Sequence, residues 1–312
     1  MPSTAPERHT TFLDARALMA IRNLELRARV VVQGFWNGLH RSPYHGFSVE
    51  FTEYREYTPG DDPRYLDWKL FARSDRFYIK KFEDETNLRC HLLVDNSRSM
   101  TFSSVGYTKS DYANTLAATL AWFLFHQGDA TGLLTFDQEI RDYLPARSRR
   151  GHLRQLMLAL EKPASGVSTD LIAPLQRIAE LVRRRGLMIL ISDMLGPIEA
   201  LDRSLGILAA SGHDVVVFQV LDPAELSLAF KTASLFRDLE TDSELYIDPD
   251  VARSSYQERF SAHNVTLRKL CERHGVVYNQ IVSDRPMENA LFDFLRSRMQ
   301  RGRTVQRRSG AR

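Results

Sequence analysis

The feature that most constrains the fold is a series of short apolar runs that alternate with helical patterns from Cys90 onwards. A run such as Leu187–Ile191 contains no polar residue, so a strand built from it must be covered on both faces. Strands are predicted at Leu92–Asp95, Ala130–Phe136, Leu187–Ile191, Val215–Val220 and Val276–Val282. Helices are predicted at 112–127, 151–160, 170–184, 198–210, 251–274 and 287–299. This alternation predicts an α/β fold, a doubly wound and mainly parallel sheet with helices on both faces, with 140–144 as a short antiparallel edge.

The residues before Cys90 follow a different pattern. Apolar positions at helical spacing over 12–33 predict an amphipathic helix, although Val30–Val32 are equally compatible with an extended strand. The following stretch is rich in turn signals and aromatic residues, which predicts short strands at 47–54 and 77–82. The predicted organisation has four parts: an N-terminal helical segment (1–40), a small β-rich and loop region (41–89), the α/β domain (90–300) and a basic flexible tail (301–312).

Composition and charge exclude several classes of protein. A formal charge of +3 over 312 residues is too small to indicate a specific nucleic-acid ligand. The longest apolar candidate, 116–125, is shorter than the ~20 residues that span a bilayer, and the N-terminus lacks the apolar core of a signal peptide. We therefore expect a cytoplasmic protein without a transmembrane segment. Cys90 and Cys271 lie in a strand pattern and a helical pattern, which predicts buried free thiols and no disulfide.

Polar residues follow the first apolar strand in a pattern suited to a hard cation. The strand ends at Asp95, and two hydroxyls follow at alternate positions, Ser97 and Ser99. Mg²⁺ favours oxygen ligands, several waters and only one or two carboxylates, so this set fits it or a similar ion such as Mn²⁺. Asp193 ends a second apolar strand and Thr169 lies in a polar loop, so both are expected at the same edge of the sheet.

These three segments resemble the metal-ion-dependent adhesion site of von Willebrand factor A domains. Position by position, the resemblance implies that a divalent cation, usually Mg²⁺, is bound by a set of five residues: Asp95, Ser97, Ser99, Thr169 and Asp193. The third segment of that motif usually reads Ser-Asp-Gly, whereas Met194 follows Asp193 in this chain. A cation held by so few carboxylates attracts a carboxylate from elsewhere, so the site is expected to capture an acidic side chain of a protein partner.

A second segment resembles the signature of the bacterial "domain of unknown function 58" family. It begins at Glu53 and contains the run Pro-Gly-Asp-Asp-Pro-Arg-Tyr-Leu-Asp-Trp over 59–68. Members place this run just before a von Willebrand factor A-like domain, and they are commonly encoded beside MoxR-type AAA+ ATPases. The resemblance therefore implies a non-enzymatic adaptor that works with such an ATPase in the assembly or maturation of protein complexes.

Three alternatives stay open on the sequence. The charged residues of the signature run and the tryptophan that follows them form either a structural turn, which is the favoured interpretation, or a contact with a partner. These residues are Asp61, Asp62, Arg64, Asp67 and Trp68. A Mg²⁺-dependent phosphohydrolase that uses Asp95 is the competing function, although the second nearby carboxylate that such enzymes need is missing from the run after Asp95. The arginine-rich tail from Arg296 onward would suit an acidic protein surface, anionic lipid or nucleic acid, although a solvated, partly disordered end is the more common explanation.

Overall fold

The computed structural model describes residues 13–41, 53–56, 78–81, 88–149, 151–164, 172–182, 184–228, 230, 232, 234–237 and 244–295. The chain divides into two compact units, of which one comprises Met1–Gly38 with Leu88–Arg312 and the other comprises Leu39–Asn87. The predicted tail lies outside the described residues, and the division into four segments stays a prediction.

The described residues of the smaller unit include an antiparallel pair of strands. They are β1 (Glu53–Glu56) and β2 (Tyr78–Lys81), with Glu53 opposite Lys81 and Glu56 opposite Tyr78. β2 lies within the strand predicted at 77–82, whereas β1 overlaps only the end of the strand predicted at 47–54.

The larger unit is built on a six-stranded sheet. Its strands along the chain are β3 (Arg89–Asp95), β4 (Ala130–Phe136), β5 (Ile140–Arg147), β6 (Leu187–Ser192), β7 (Asp214–Leu221) and β10 (Val277–Val282). Their spatial order is β10-β7-β6-β3-β4-β5, and all neighbours are parallel except β4 and β5. The chain order therefore reverses between β3 and β6, which is the switch point where sheets of this kind bind ligands.

Helices cover both faces of this sheet. The helices along the chain are α1 (Ala15–Met19), α2 (Leu24–Arg41), α3 (Lys109–His126), α4 (His152–Leu160), α5 (Ile172–Leu181), α6 (Ile198–Ala210), α7 (Pro223–Ser227), α8 (Pro249–Arg273) and α9 (288–295). One face packs α5, α6 and α8 onto the strands in a continuous apolar core. On the other face α3 carries Phe123, which packs edge-on against Phe35 of α2 and Phe294 of α9. The predicted α/β class is confirmed.

Most predicted elements of the α/β domain are present, including the antiparallel edge strand, but the prediction of a single helix over 12–33 was wrong. The chain breaks after Met19, and α2 starts where the Asn23 side chain accepts a hydrogen bond from the Leu26 amide at 2.7 Å. The Val30–Val32 stretch is helical, because Val31 and Val32 are buried together with Phe35 on one side of α2.

Three elements had no counterpart in the sequence prediction. They are α7 and an antiparallel pair of strands, β8 (Ser234–Arg237) and β9 (Glu244–Ile247). Cys90 and Cys271 are buried and form no disulfide, as predicted. In the part of the chain that the structure describes, no helix is long and apolar enough to cross a membrane.

Candidate functional site

Four neighbouring parallel strands each deliver an aspartate to the same edge of the sheet. Asp95 is the last residue of β3, and Asp137, Asp193 and Asp222 directly follow β4, β6 and β7. All four carboxylates are almost fully buried. Burial of a carboxylate is costly unless it is paired or hydrogen-bonded, so the partners of each one define what this edge can bind.

Asp95 lies at the switch point and its partners are neutral. One carboxylate oxygen, Oδ1, accepts a hydrogen bond from the Ser97 amide at 2.8 Å, and Oδ2 accepts one from the Ser192 hydroxyl at 2.6 Å. Burial, together with the nearby charge of Asp193, raises the pKa of Asp95 to about 6. The side chain is therefore held firmly in place while its negative charge has no cation beside it among the described residues.

The two serines after Asp95 bring their hydroxyls together. Ser97 is buried and Ser99 is partly exposed in a 3-10 turn, Arg98–Thr101, and their Oγ atoms lie 3.0 Å apart. This distance is that of a hydrogen bond, and it also matches an octahedral Mg²⁺ shell, in which metal–oxygen distances of about 2.1 Å place adjacent oxygens about 3 Å apart. The carboxylate of Asp95 and both hydroxyls thus offer a donor set that fits a hard cation.

Asp193 differs from Asp95 because it already has a cation. Its Oδ2 atom lies 2.8 Å from the ammonium nitrogen of Lys109, which is fully buried and lies 2.5 Å from Oε1 of Glu225 as well. Burial lowers the pKa of Lys109, but the attraction of Asp193 and Glu225 outweighs it and leaves that pKa raised. Lys109 is therefore a permanent ammonium group that neutralises Asp193 from within the protein.

The turn after Asp193 adopts the conformation that the Ser-Asp-Gly motif would require. Met194 has φ 55°, the left-handed region that favours glycine, and its amide donates a 3.1 Å hydrogen bond to the Ser192 hydroxyl. The carbonyl of Met194 is 2.9 Å from the His263 ring, and the side chain is buried in the core on the α8 side of the sheet. The buried contacts of the Met194 side chain thus stabilise a backbone conformation that glycine would adopt without strain.

The remaining two aspartates have structural partners. Asp137 forms an ion pair with Arg141 at 2.7 Å, and although burial raises the pKa of Asp137, hydrogen bonds from Arg141 and from the Glu139 backbone leave it lowered. Asp222 caps α7 by accepting a hydrogen bond from Ala224, and it also accepts hydrogen bonds from the amide and hydroxyl of Ser104. Of the four strand-end aspartates, Asp95 is the one that neither pairs with a cation nor caps an α-helix among the described residues.

Of the residues predicted to bind metal, four lie together at this edge: Asp95, Ser97, Ser99 and Asp193. Thr169 lies outside the described residues. The described residues hold no group of three His, Cys, Asp or Glu side chains arranged to bind a metal ion. An ion at this edge would therefore rest on hydroxyl oxygens together with Asp95. The signature residues also lie outside the described part of the chain: Asp61, Asp62, Arg64, Asp67 and Trp68.

Sequence reasoning missed the ion-pair partners of this edge. Lys109 lies in the first turn of α3, where a positive charge opposes the helix dipole. A lysine at this position of a largely apolar helix was the sequence feature that could have indicated an ion-pair role. Glu225 was marked by a capping box with Asp222, which is formed in the structure. Asp137 and Asp222 were marked in the same way as Asp95, because each directly follows an apolar run.

The chain shares sequence with proteins of one family. Residues 53–266 match the family described as "Protein of unknown function DUF58". Uncharacterized proteins of Mycobacterium bovis and Mycobacterium tuberculosis are each 30% identical to it over 291 residues, which is 91% of this chain and 90% of theirs.

Solved structures show a partial likeness to this chain. The conserved hypothetical protein BatB of Bacteroides thetaiotaomicron has 15% identity and a TM-score of 0.48, over 69% of this chain and 99% of that one. The SpRpn10 VWA domain has 12% identity and a TM-score of 0.40, over 65% and 93%. No property of those proteins transfers at this level of likeness. The extent of the family match and of the mycobacterial relatives confirms the predicted membership: this chain belongs to the DUF58 family.

Proposed function

We propose that this protein is a non-enzymatic, divalent-cation-dependent module that binds an acidic side chain of a protein partner. The observation that carries the proposal is the donor set at the switch point, where no described residue places a cation beside Asp95 and two serine hydroxyls lie 3.0 Å apart. A sheet of this order binds ligands at this position. The function rests on charge, because Asp95 alone leaves a bound divalent cation incompletely neutralised.

Each residue of the proposed cation site would have a distinct role. Asp95, Ser97 and Ser99 would hold Mg²⁺ or Mn²⁺, with Thr169 proposed as a further oxygen donor. The ion would supply the positive charge that a partner's carboxylate requires. The Ser192 hydroxyl and the Ser97 amide keep the Asp95 carboxylate oriented, so little rearrangement is needed on binding. Asp193 stays paired with Lys109, so it adds no net charge to the site. Its role would be to orient the ligands or bound waters of the ion.

The same contacts argue against a phosphohydrolase. Both oxygens of Asp95 accept hydrogen bonds, one from the Ser97 amide and one from the Ser192 hydroxyl. No described cationic group orients either oxygen for attack on phosphorus. The second carboxylate nearby, Asp193, is engaged in a 2.8 Å ion pair with the ammonium group of Lys109. No observation in the described residues favours the enzymatic alternative.

A partner is proposed on the resemblance noted in the sequence. Members of the family are commonly encoded beside MoxR-type AAA+ ATPases, so we propose that the module joins such an ATPase to its client during complex assembly in the cytoplasm. An acidic surface residue on either protein would complete the cation's shell.

Metal binding is tested with Mn²⁺ as the probe. The electron paramagnetic resonance signal of aqueous Mn²⁺ decreases on binding, so a titration measures the affinity directly. We expect saturable binding that is competed by Mg²⁺, lost in Asp95→Ala and in Ser97→Ala/Ser99→Ala, and unchanged in Glu180→Ala, whose carboxylate forms only a surface pair with Arg177. Equal binding by Asp95→Ala would refute the metal site.

Partner binding is tested with the full chain as bait. Capture of the neighbouring AAA+ ATPase or its client, read by mass spectrometry, should occur in Mg²⁺ and disappear both in EDTA and with Asp95→Ala. Unchanged capture under both conditions would contradict a cation-dependent module. Turnover of phosphate esters that requires Asp95 would replace the proposal with the enzymatic alternative.

A further inference from the structure

An apolar groove lies beside the candidate cation site. Its volume is about 410 Å³, and it is formed by the turn after Ser99, by α7, by β9 and by the first turns of α8. Its apolar lining includes Phe102, Ala224, Leu228, Leu245, Ile247 and Tyr256. A groove of this size accepts one large aliphatic or aromatic side chain.

Two links make the groove continuous with the site. Phe102 belongs to the same turn as the serines, since its amide donates a 3.2 Å hydrogen bond to the Ser99 carbonyl. Glu225 lines the groove and shares the ammonium group of Lys109 with Asp193. A partner residue held at Asp95 would therefore place its chain neighbours above the groove, because adjacent residues of an extended segment are about 3.5 Å apart.

The described lining of the groove includes one acid and one base. Glu225 lies 2.5 Å from the ammonium group of Lys109, which it shares with Asp193, so its negative charge is only partly compensated. Arg259 lines the groove, is exposed, and forms no ion pair with any other described residue. The charge of the lining therefore adds little to the choice of ligand, which rests on the apolar residues of the groove.

One wall residue of the groove is itself largely exposed. Leu245 of β9 lines the groove and is 64% exposed. Tyr246 is 71% exposed as well, but it follows Leu245 along the strand, points to the other face and does not line the groove. The side chain of Leu245 would be covered by the partner segment that enters the groove.

We infer that the protein recognises an extended peptide segment in which an acidic residue is followed, one or two positions later, by a large apolar residue. The acidic side chain occupies the cation site and the apolar side chain fills the groove between Phe102, Leu245 and Tyr256. This inference deepens the proposed function and rests on it for the acidic residue. The apolar half rests on the groove alone, so the two halves can fail separately.

The test uses three synthetic peptides in an otherwise constant Gly/Ser sequence, carrying Asp-Leu, Asp-Ser or Asn-Leu, displayed on beads. In Mg²⁺ the full chain should bind Asp-Leu about tenfold or more tighter than Asp-Ser, as burial of one leucine side chain predicts. Leu245→Ser should remove this preference but keep the requirement for Mg²⁺. Leu158→Ser is the matched control, because Leu158 is 56% exposed on α4, away from the groove.

An accessible thiol gives a second readout. Cys90 and Cys271 are the chain's two cysteines and both are buried, so Ser255→Cys places a reactive thiol in the groove. The Asp-Leu beads should slow its reaction with a maleimide, and they should leave the reaction of Leu158→Cys unchanged.

The outcomes separate the two halves of the inference. Equal affinity for Asp-Leu and Asp-Ser, or no protection of Ser255→Cys, overturns the groove and leaves cation-dependent capture intact. If Asp-Leu still binds more tightly than Asp-Ser in EDTA, and if Asn-Leu binds as well as Asp-Leu, the groove is supported and the proposed function is contradicted. Failure of all three peptides to bind in Mg²⁺ overturns the inference.

Discussion

Asp95 and Asp193 end neighbouring strands at one edge of the sheet, yet their surroundings are opposite. Asp193 is neutralised by the buried ammonium of Lys109. Among the described residues Asp95 meets an amide and a hydroxyl, and burial together with Asp193 raises its pKa to about 6. One strand end carries its own cation, and the other is where we propose that a divalent cation binds. The contrast shows that two identical side chains with the same burial acquire different roles from a single contact made by a distant helix.

The largest expected effect comes from removal of the internal cation. Lys109→Met should lower the free energy of unfolding by about 3–5 kcal/mol, because it leaves Asp193 and Glu225 buried without a counter-charge. Urea unfolding monitored by circular dichroism measures this loss. The control is Lys162→Met, which breaks an exposed pair with Asp142 and should cost at most about 1 kcal/mol. Similar losses in the two variants would mean that Lys109 has no special role.

Removal of the charge at the other strand end should have the opposite sign. The pKa of this carboxylate is about 6 in the folded protein against an ordinary value of 3.8, so its ionisation costs stability. That cost grows from pH 4 to pH 6 and is constant above pH 6. Asp95→Asn should therefore stabilise the metal-free protein at pH 8, by at most about 3 kcal/mol, and have little effect at pH 4. Denaturant melts in EDTA at both pH values test this. Destabilisation at pH 8 would show that the charge of Asp95 is compensated in the absence of metal.

A third variant asks whether packing or backbone conformation fixes the turn after Asp193. Met194→Gly relieves a left-handed conformation worth about 1–2 kcal/mol but deletes a buried side chain worth about 2–5 kcal/mol. A net loss of about 1–3 kcal/mol is expected, with Mn²⁺ affinity unchanged. Calorimetric unfolding together with the Mn²⁺ titration measures both. A gain in stability would show that the buried methionine contributes little.

The smallest effect is expected from the ion itself. Mg²⁺ at ten times its dissociation constant should stabilise the protein by about 1.4 kcal/mol, seen as a rise in the melting temperature that Asp95→Asn abolishes. Since a proton competes for Asp95, the affinity should fall about tenfold for each pH unit below about 6. Equal affinity at pH 5 and pH 8 would place the ion elsewhere.

Most of the fold follows from local patterns in the sequence. The strands at Ala130–Phe136 and the helix at Ile198–Ala210 were predicted with the bounds that the structure has, since apolar continuity and helical spacing are local properties. The break between α1 and α2 was missed, because it depends on one side-chain cap at Asn23. The β8–β9 pair was missed because Leu245 and Tyr246, which are consecutive in β9, are both apolar and both exposed, so the sequence shows no alternation of apolar and polar residues.

The candidate site divides in the same way. The sequence by itself determined that aspartates follow apolar strands and that two serines follow Asp95, because chemistry and spacing along one segment suffice for that. Tertiary structure alone decided which aspartate is neutralised, since Lys109 and Asp193 are 84 residues apart and meet only when α3 packs beside the sheet. It also decided that an apolar groove adjoins the site, because its walls come from the turn after Ser99, from α7, from β9 and from α8. A contact between distant segments depends on the packing of the whole domain, and no local pattern encodes it.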